Sequence, residues 1–367
     1  MTEENNIISD INALIERKLP FAIYRIPGEN TFRFVGQSEG KVRVLYDIKE
    51  LNEQKGFVIA PFKVSPEYPI VLIEPDFEKA ISITALCEAQ EGQSLNSDEV
   101  LSECCTDTYS VCFDTFIQAL RRKEFEKLVL SRKVVLEKDG EISPLQAFEI
   151  ACRCYAYSYV YLCYTPQTGM WLGSTPEVIL SGEKGEWNTV ALAGTMSLQD
   201  GKLPQEWDDK NRKEQGYVAS YIRQQLQSLG IQPSENGPYP VYAGALAHLK
   251  SDFRFSLADD SKLGDLLALL HPTPAVCGLP KEEAYRFILE NEGYDRSYYS
   301  GFIGWVDPQQ HTDLYVNLRC MNIGEDSLSL YAGGGLLASS DLNDEWLETE
   351  KKMQTMKRIA HLPILKY

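Results

Sequence analysis

The chain has 367 residues, with 53 acidic against 36 basic side chains and a net charge of −17, a balance that argues against nucleic acid or an anionic membrane as partner. It exceeds the ~150 residues usual for one domain, so two domains or one large intertwined unit are both open. At this size a core buries roughly three-quarters of the unfolded surface and needs no staples. The nine cysteines are an odd set without a CxxC spacing; several lie in apolar runs, where a free thiol behaves as a small hydrophobe. A reduced, cytoplasmic protein is the expectation. Met1–Asn6 is acidic and polar, unlike a signal peptide, and no apolar run approaches the ~18 residues of a membrane span.

In chain order, a short helix over about Ile7 to Lys18 precedes strand-like runs at Phe21–Ile26, Phe32–Val35, Val42–Tyr46, Phe57–Ala60 and Ile70–Ile73. Gly and Pro punctuate them, as in an antiparallel meander. Pro75 to Glu99 is more polar, with an exposed loop expected over Glu88–Ser94. A helix over Ser110–Lys123 leads into the β-branched strand Lys127–Leu136, and Pro144 opens another helix at the position that suits proline. Strands Tyr159–Tyr164 and Met170–Leu172 run into a turn at Gly173–Glu177, and Val190–Leu192 into a second turn at Ala193–Thr195. A long helix from about Glu206 to Leu229 has Val218, Ile222, Leu226 and Leu229 on its apolar face. That face continues back to Asn211 and Glu214, and an inward carboxylate needs a partner. Helices over Leu263–Leu270 and Lys281–Glu290 flank His271–Gly278, and strands Gly301–Val306 and Tyr315–Cys320 follow. Elements come in clusters without a strict βαβ rhythm, which points to α+β with large antiparallel sheets.

The C-terminal stretch is the most pointed. An apolar strand meets three glycines, Gly333–Gly335, read as a turn, and then a helix that Ser340 or Asp341 can cap. Leu342, Trp346, Met353, Met356 and Ala360 recur at helical spacing and should be buried. Glu348 and Lys352 share a face. Most such pairs are solvated i,i+4 ion pairs, but glycines that let a backbone approach a ligand raise the functional reading here. No Lys-Ser/Thr follows the glycines as a P-loop requires, which disfavours an unrelated phosphate-binding enzyme.

Seven segments carry a resemblance: Lys127–Arg132 (KLVLSR), Gly173–Glu177 (GSTPE), Ala191–Thr195 (ALAGT), His271–Gly278 (HPTPAVCG), Leu318–Cys320, Tyr331–Gly335 (YAGGG) and Glu345–Lys352 (EWLETEKK). In this order they resemble the chorismate-utilising enzymes: isochorismate, salicylate, anthranilate and aminodeoxychorismate synthases. They cover roughly residues 110–360, the catalytic core being 111–367 and residues 1–110 a divergent N-terminal part of the same globular unit. The resemblance implies an α+β fold, a two-layer α/β sandwich type with intertwined antiparallel β-sheets, outer helices and a cleft, as in anthranilate and aminodeoxychorismate synthases.

It also implies roles. To make isochorismate from chorismate, water adds at C2 as the C4 hydroxyl departs, so a base and an acid are required. Lys127 matches the family's general base and Glu177 its general acid, whose pKa an apolar pocket must raise. Glu214 and Glu348 match the carboxylates that hold Mg²⁺, a hard ion that keeps several waters and bridges to substrate. The metal would explain how a dianion reaches an acidic protein. Arg319 matches the clamp on the enolpyruvyl carboxylate; backbone N–H groups around Gly194, Gly333 and Gly335 would complete an anion cradle. Lys352 matches a further lysine of the site, and His248 a histidine near the ring hydroxyl. Asn211 departs from the family, standing where relatives often carry Asp; this puts the second metal-shell contact in question.

Ala193 replaces the lysine nucleophile of bacterial aminodeoxychorismate synthases, which closes the covalent route. Ala275 stands where anthranilate synthases carry threonine, and alanine there is typical of isochorismate synthases. Salicylate synthase, which goes on to eliminate pyruvate, is the alternative that no single residue excludes. A non-catalytic scaffold role is disfavoured because the base, the acid and both metal carboxylates are present. The expected partner is the small molecule chorismate, with no glutaminase subunit, and a monomer is expected.

Overall fold

The β-branched and aromatic runs assemble, in a computed structural model, into two nine-stranded sheets. The structure describes residues 3–82, 106–138, 142–243, 246–257 and 259–360. The first sheet runs, strand beside strand, Gly278–Leu279, Lys127–Glu137, Ser327–Leu336, Cys320–Ile323, Gly169–Thr175, Tyr159–Thr165, Phe21–Arg25, Thr31–Gly36, Phe77–Ser82. The second runs Ser234–Ala243, Leu246–Ser256, Glu186–Ser197, Val178–Glu183, His311–Val316, Phe302–Val306, Gly56–Ala60, Ile70–Ile73, Arg43–Leu45. Their pairings among the described residues are antiparallel, from Phe21 opposite Gly36 to Leu336 opposite Leu128. Strands between residues 21 and 82 thus extend both sheets, and the two halves of the chain are interleaved.

The sheets face one another across an aromatic core that includes Tyr24, Phe57, Tyr159, Trp171, Trp305 and Tyr315. Tyr159 stacks on Tyr315 at 4.2 Å between centroids, joining one sheet to the other; such pairs add about 0.5–1.5 kcal/mol beyond their burial. Helices cover the outer faces. Glu3–Glu16, Pro144–Cys154 and Leu342–Ala360 pack on the first sheet, and Asp209–Ser228 and Leu263–Leu270 on the second. Asp107–Arg121 and Lys281–Asn291 close the end beside Lys127–Glu137. The fold is the expected α+β sandwich with antiparallel sheets and outer helices.

Several boundaries differ from the sequence reading, each for a local reason. Gly333–Gly335 is part of the strand Ser327–Leu336, paired with Ser131–Val129, and is not a turn. Ala193–Thr195 is likewise no turn: the strand Glu186–Ser197 runs through it with a bulge at Gly194, whose φ is +77°, a conformation glycine adopts without strain. Gly173–Thr175 belongs to the strand Gly169–Thr175. Tyr315–Cys320 is two strands, because residues 317–319 carry the chain from the second sheet to the first. The crossing bends through Arg319, at φ +46°. The polar stretch after Pro75 contains the strand Phe77–Ser82, and Glu88–Ser94 lies outside the described residues.

Candidate active site

Two sheets and two helices bring the site together. The strand Lys127–Glu137 is pinned by its partner Ser327–Leu336 and from behind by a buried ion pair. Arg296 donates to Glu292 at 2.6 Å, to Val276 O at 2.6 Å and to Val129 O at 2.9 Å, while Glu292 accepts from Ser131 N at 2.7 Å. At the head of this strand Lys127 is 0 % exposed. Its Nζ lies 3.0 Å from Glu214 Oε1, yet makes no well-formed hydrogen bond. A β-carbon on Gly335 would sit 2.0 Å from Glu214 Oε1 and 2.9 Å from Lys127 Cε, so the glycine makes room for that pair.

Glu214 is delivered by the helix Asp209–Ser228, which Asp208 caps by accepting from Asn211 N at 2.9 Å. Asn211 is occupied in the same turn. Its Nδ2 donates to Asp208 at 2.7 Å, and its Oδ1 accepts from Thr195 N at 2.7 Å, which holds the bulge. Asn211 therefore buttresses the strand that carries Gly194. A β-carbon at Gly194 would lie 2.8 Å from Asn211 O.

Glu177 is 3 % exposed and accepts from Thr273 Oγ1 at 3.3 Å. Burial raises its pKa to about 7, and Lys127, Thr273, Lys352 and Arg319 only partly oppose this. Near neutrality the carboxyl is thus poised between donor and acceptor. His248 has the opposite character. Burial, with Arg319 and Lys352 nearby, pushes its pKa down to about 3. It is neutral, and its tautomer follows from its partners: Nδ1–H donates to Gly194 O at 2.8 Å, so Nε2 accepts from Arg319 at 2.8 Å.

The C-terminal helix adds charge. Asp341 caps it, accepting from Asn343 N at 2.8 Å. Lys352 donates to Glu348 at 2.7 Å and to Gly333 O at 2.9 Å, so this i,i+4 pair is sheltered and tied to the glycine strand. Glu345, fully buried, accepts from Lys210 at 2.6 Å. Burial and the neighbouring Glu348 raise the Glu345 pKa to about 7, while Lys352 and Lys210 outweigh burial at Glu348 and lower it. On its far side the helix is held by Arg132, which lies 3.7 Å over the Trp346 ring, donates to Thr349 Oγ1 at 2.8 Å and pairs with Glu350.

One cavity is lined by Glu177, Gly194, Glu214, His248, Ala275, Arg319, Gly333, Gly335 and Lys352, together with Ala193, Thr195, Val129, Val276, Tyr299 and Leu318. Of the residues singled out from the sequence, Lys127, Asn211 and Glu348 are not in its wall: Lys127 lies against Gly335, Asn211 against Gly194, and Glu348 is paired with Lys352. Glu345, Lys210 and Thr273 were not foreseen. Two spacings carried a signal for the first two: Glu345 and Glu348 are i,i+3, and Lys210 and Glu214 are i,i+4.

The residues fit a magnesium ion, though not a closed cage. Among the described residues no three His, Cys, Asp or Glu side chains converge as a ready-made metal site. What gathers at the glycine strand is carboxylate oxygen: Gly334 would place a β-carbon 3.2 Å from Glu345 Oε2 and 3.3 Å from Glu348 Oε1, and Gly335 one against Glu214. Glu345 Oε2 is buried with no well-formed hydrogen bond. One or two carboxylates with water and an anionic ligand is the usual magnesium arrangement.

No helix among the described residues is long and apolar enough to cross a membrane. A 249-residue stretch is 29% identical to isochorismate synthase EntC of Escherichia coli (strain K12), covering 65% of this chain and 63% of that protein; the match thus spans less than two thirds of that relative's length. Among solved structures, MenF, the menaquinone-specific isochorismate synthase from Escherichia coli, superposes with a TM-score of 0.75 at 20% identity, covering 93% of this chain and 89% of that one. Anthranilate synthase component I from Streptococcus pneumoniae does so at 0.66 and 17% identity, covering 92% and 89%. At these identities the two structures speak to the fold. Residues 52–361 match the family described as chorismate binding enzyme, and the chain belongs to that family.

Proposed function

We propose that the protein is an isochorismate synthase, isomerising chorismate by addition of water at C2 and loss of the C4 hydroxyl. The observation that carries this reading is Glu177: a buried carboxyl with a pKa of about 7, in the wall of a cavity and within electrostatic reach of buried Lys127. Lys127 takes the proton from the attacking water, and Glu177 gives its proton to the departing hydroxyl. In the reverse direction Glu177 is the base and Lys127 the acid, so one pair serves both directions. Arg319, held against neutral His248, clamps the enolpyruvyl carboxylate. His248 cannot itself supply charge, since its proton faces Gly194 O. Glu214 and Glu348 would hold Mg²⁺, which when bound supplies positive charge to the ring carboxylate.

Names among the relatives support water as nucleophile, since EntC and MenF are isochorismate synthases. Ala193 in the cavity wall supports it too, because no amine stands there to form a covalent adduct. Incubation with chorismate and Mg²⁺ followed by chromatography tests the reading, with pyruvate followed by a lactate-dehydrogenase couple. The expected result is isochorismate, no pyruvate, and conversion that stops as a mixture, because exchanging one ring hydroxyl for another strongly favours neither side. Pyruvate with salicylate would replace this reading by salicylate synthase, and pyruvate only with ammonium by anthranilate synthesis.

A further inference from the structure

We propose that Lys210 is a built-in counter-ion that competes with a divalent cation for the carboxylates of this site, and so couples metal binding to arrival of the anionic substrate. This rests on the reading that Glu214 and Glu348 hold the ion.

Three carboxylates and three lysines meet at the glycine strand, matched one to one: Glu214 with Lys127 at 3.0 Å, Glu345 with Lys210 at 2.6 Å, and Glu348 with Lys352 at 2.7 Å. With Lys127 the neutral base and Glu177 the protonated acid of the reaction, the three carboxylates are balanced by Lys210, Lys352 and the neighbouring Arg319, and the site is neutral. A divalent ion entering alone would leave it at +2, in a setting too dry to screen that charge. A dianion entering with the metal restores neutrality. Replacement of one ammonium by the metal is the other way to reduce the excess.

Of the three lysines, Lys210 is the one able to leave. Lys127 is sealed, its side chain 0 % exposed; Lys352 is 13 % exposed and also anchored on Gly333 O; Lys210 is 28 % exposed and, among the described residues, hydrogen-bonds Glu345 alone. It stands in the first turn of its helix, and its electrostatic partners include Glu348 and Glu214 as well as Glu345. It therefore addresses the same carboxylates that a metal would. The second oxygen of Glu345 points the same way: Oε2 is buried without a well-formed hydrogen bond, 3.2 Å from where a side chain on Gly334 would begin. A carboxylate oxygen so placed is costly unless a cation can reach it. An internal occupant lowers the apparent affinity for the ion by the fraction of time it holds the site.

The test uses Mn²⁺ as the probe, counting the free ion by its electron paramagnetic resonance signal, with purified protein in the presence and absence of chorismate. Substrate and isomerised product are both dianions, so turnover during the titration leaves the charge argument intact. Wild type should bind Mn²⁺ weakly alone and more tightly with chorismate. Lys210→Met should bind it at least tenfold more tightly without chorismate, a change of about 1.4 kcal/mol, and the enhancement by chorismate should shrink by a similar factor. Lys210→Arg should stay close to wild type. Lys210→Gln is the second neutral variant, and thermal melts verify that each is folded. Equal Mn²⁺ affinity in wild type and folded neutral variants would overturn the role of Lys210 while leaving the metal site standing. Wild type that fails to bind Mn²⁺ even with chorismate, or Glu348→Gln that binds it as wild type does, would overturn the metal reading and this inference with it.

Discussion

Gly335→Ala is a one-carbon change aimed at the Lys127–Glu214 pair. Gly335 lies in a regular strand without a positive φ, so alanine meets no backbone obstacle there. Its β-carbon would come within 2.0 Å of Glu214 Oε1, 2.7 Å of Glu214 Cδ and 2.9 Å of Lys127 Cε, where real contacts of this kind are seldom below 3.0 Å. Glu214 Oε1 must therefore retreat by about 1 Å, and it is the atom paired with Lys127. A misplacement of that size in a reacting constellation costs about 10²-fold in rate, and overpacking of this kind costs about 1–3 kcal/mol of stability. The assay is kcat for isochorismate formation, paired with a denaturant melt. Gly216→Ala, on the Glu214 helix with nothing within 4 Å of the added carbon, is the control, expected to gain about 0.5–1 kcal/mol. Folded Gly335→Ala with wild-type kcat would refute the assignment of Lys127 and Glu214 to one working pair.

Other outcomes follow from the same geometry. Glu177→Gln should lower kcat by roughly 10²–10⁴, and wild-type activity should fall as pH rises through about 7, where Glu177 loses its proton; stopped assays across pH 5.5–8.5 (about) check both. Because the folded pKa of Glu177 lies above the ordinary value of 4.5, its contribution to stability is fully present below 4.5 and is lost as pH rises to about 7; melts of Glu177→Gln should lack that decline. EDTA should abolish turnover and Mg²⁺ restore it, and full activity in chelator would be incompatible with a metal on Glu214 and Glu348. Arg296→Met should cost about 3–5 kcal/mol by stranding Glu292, measured by denaturant unfolding.

The sequence revealed the fold class and the segments of the site, because strands and helices differ in apolar period and the seven motifs are contiguous. It misread the glycines. Gly194 and Gly333–Gly335 resemble turn signals, yet they sit within strands: Gly194 at a bulge of positive φ packed on the Asn211 backbone, the other three where atoms from elsewhere need the room. The strands Val178–Glu183 and Ser234–Ala243 escaped notice because Gly182, Gly237, Pro238 and Pro240 interrupt their pattern. Glu345 escaped because an acid in the first turn of a helix already has a reason to be there; only its burial against Gly334 gives it another. Lys210 lies in a run of charges, Asp208-Asp209-Lys210-Asn211-Arg212-Lys213-Glu214, off the inward line of Asn211 and Glu214, where a lysine reads as solvated. The role of the Arg296–Glu292 pair was unreadable for a different reason: beyond each other, the two hold backbone atoms of Val129, Ser131 and Val276, which the fold alone brings near.

The crossing at residues 317–319 has a consequence for how the enzyme would fail. Lys127 belongs to the first sheet and its partner Glu214 to a helix on the second; Arg319 leads into the first sheet and its partner His248 lies on the second. Both of these contacts are therefore rivets between the two sheets, and neither sheet holds a functioning half. Slippage of one sheet against the other, by less than a strand spacing, would silence the protein while leaving every ladder of hydrogen bonds intact. Under rising denaturant, turnover should vanish before the far-ultraviolet signal of the strands begins to fall.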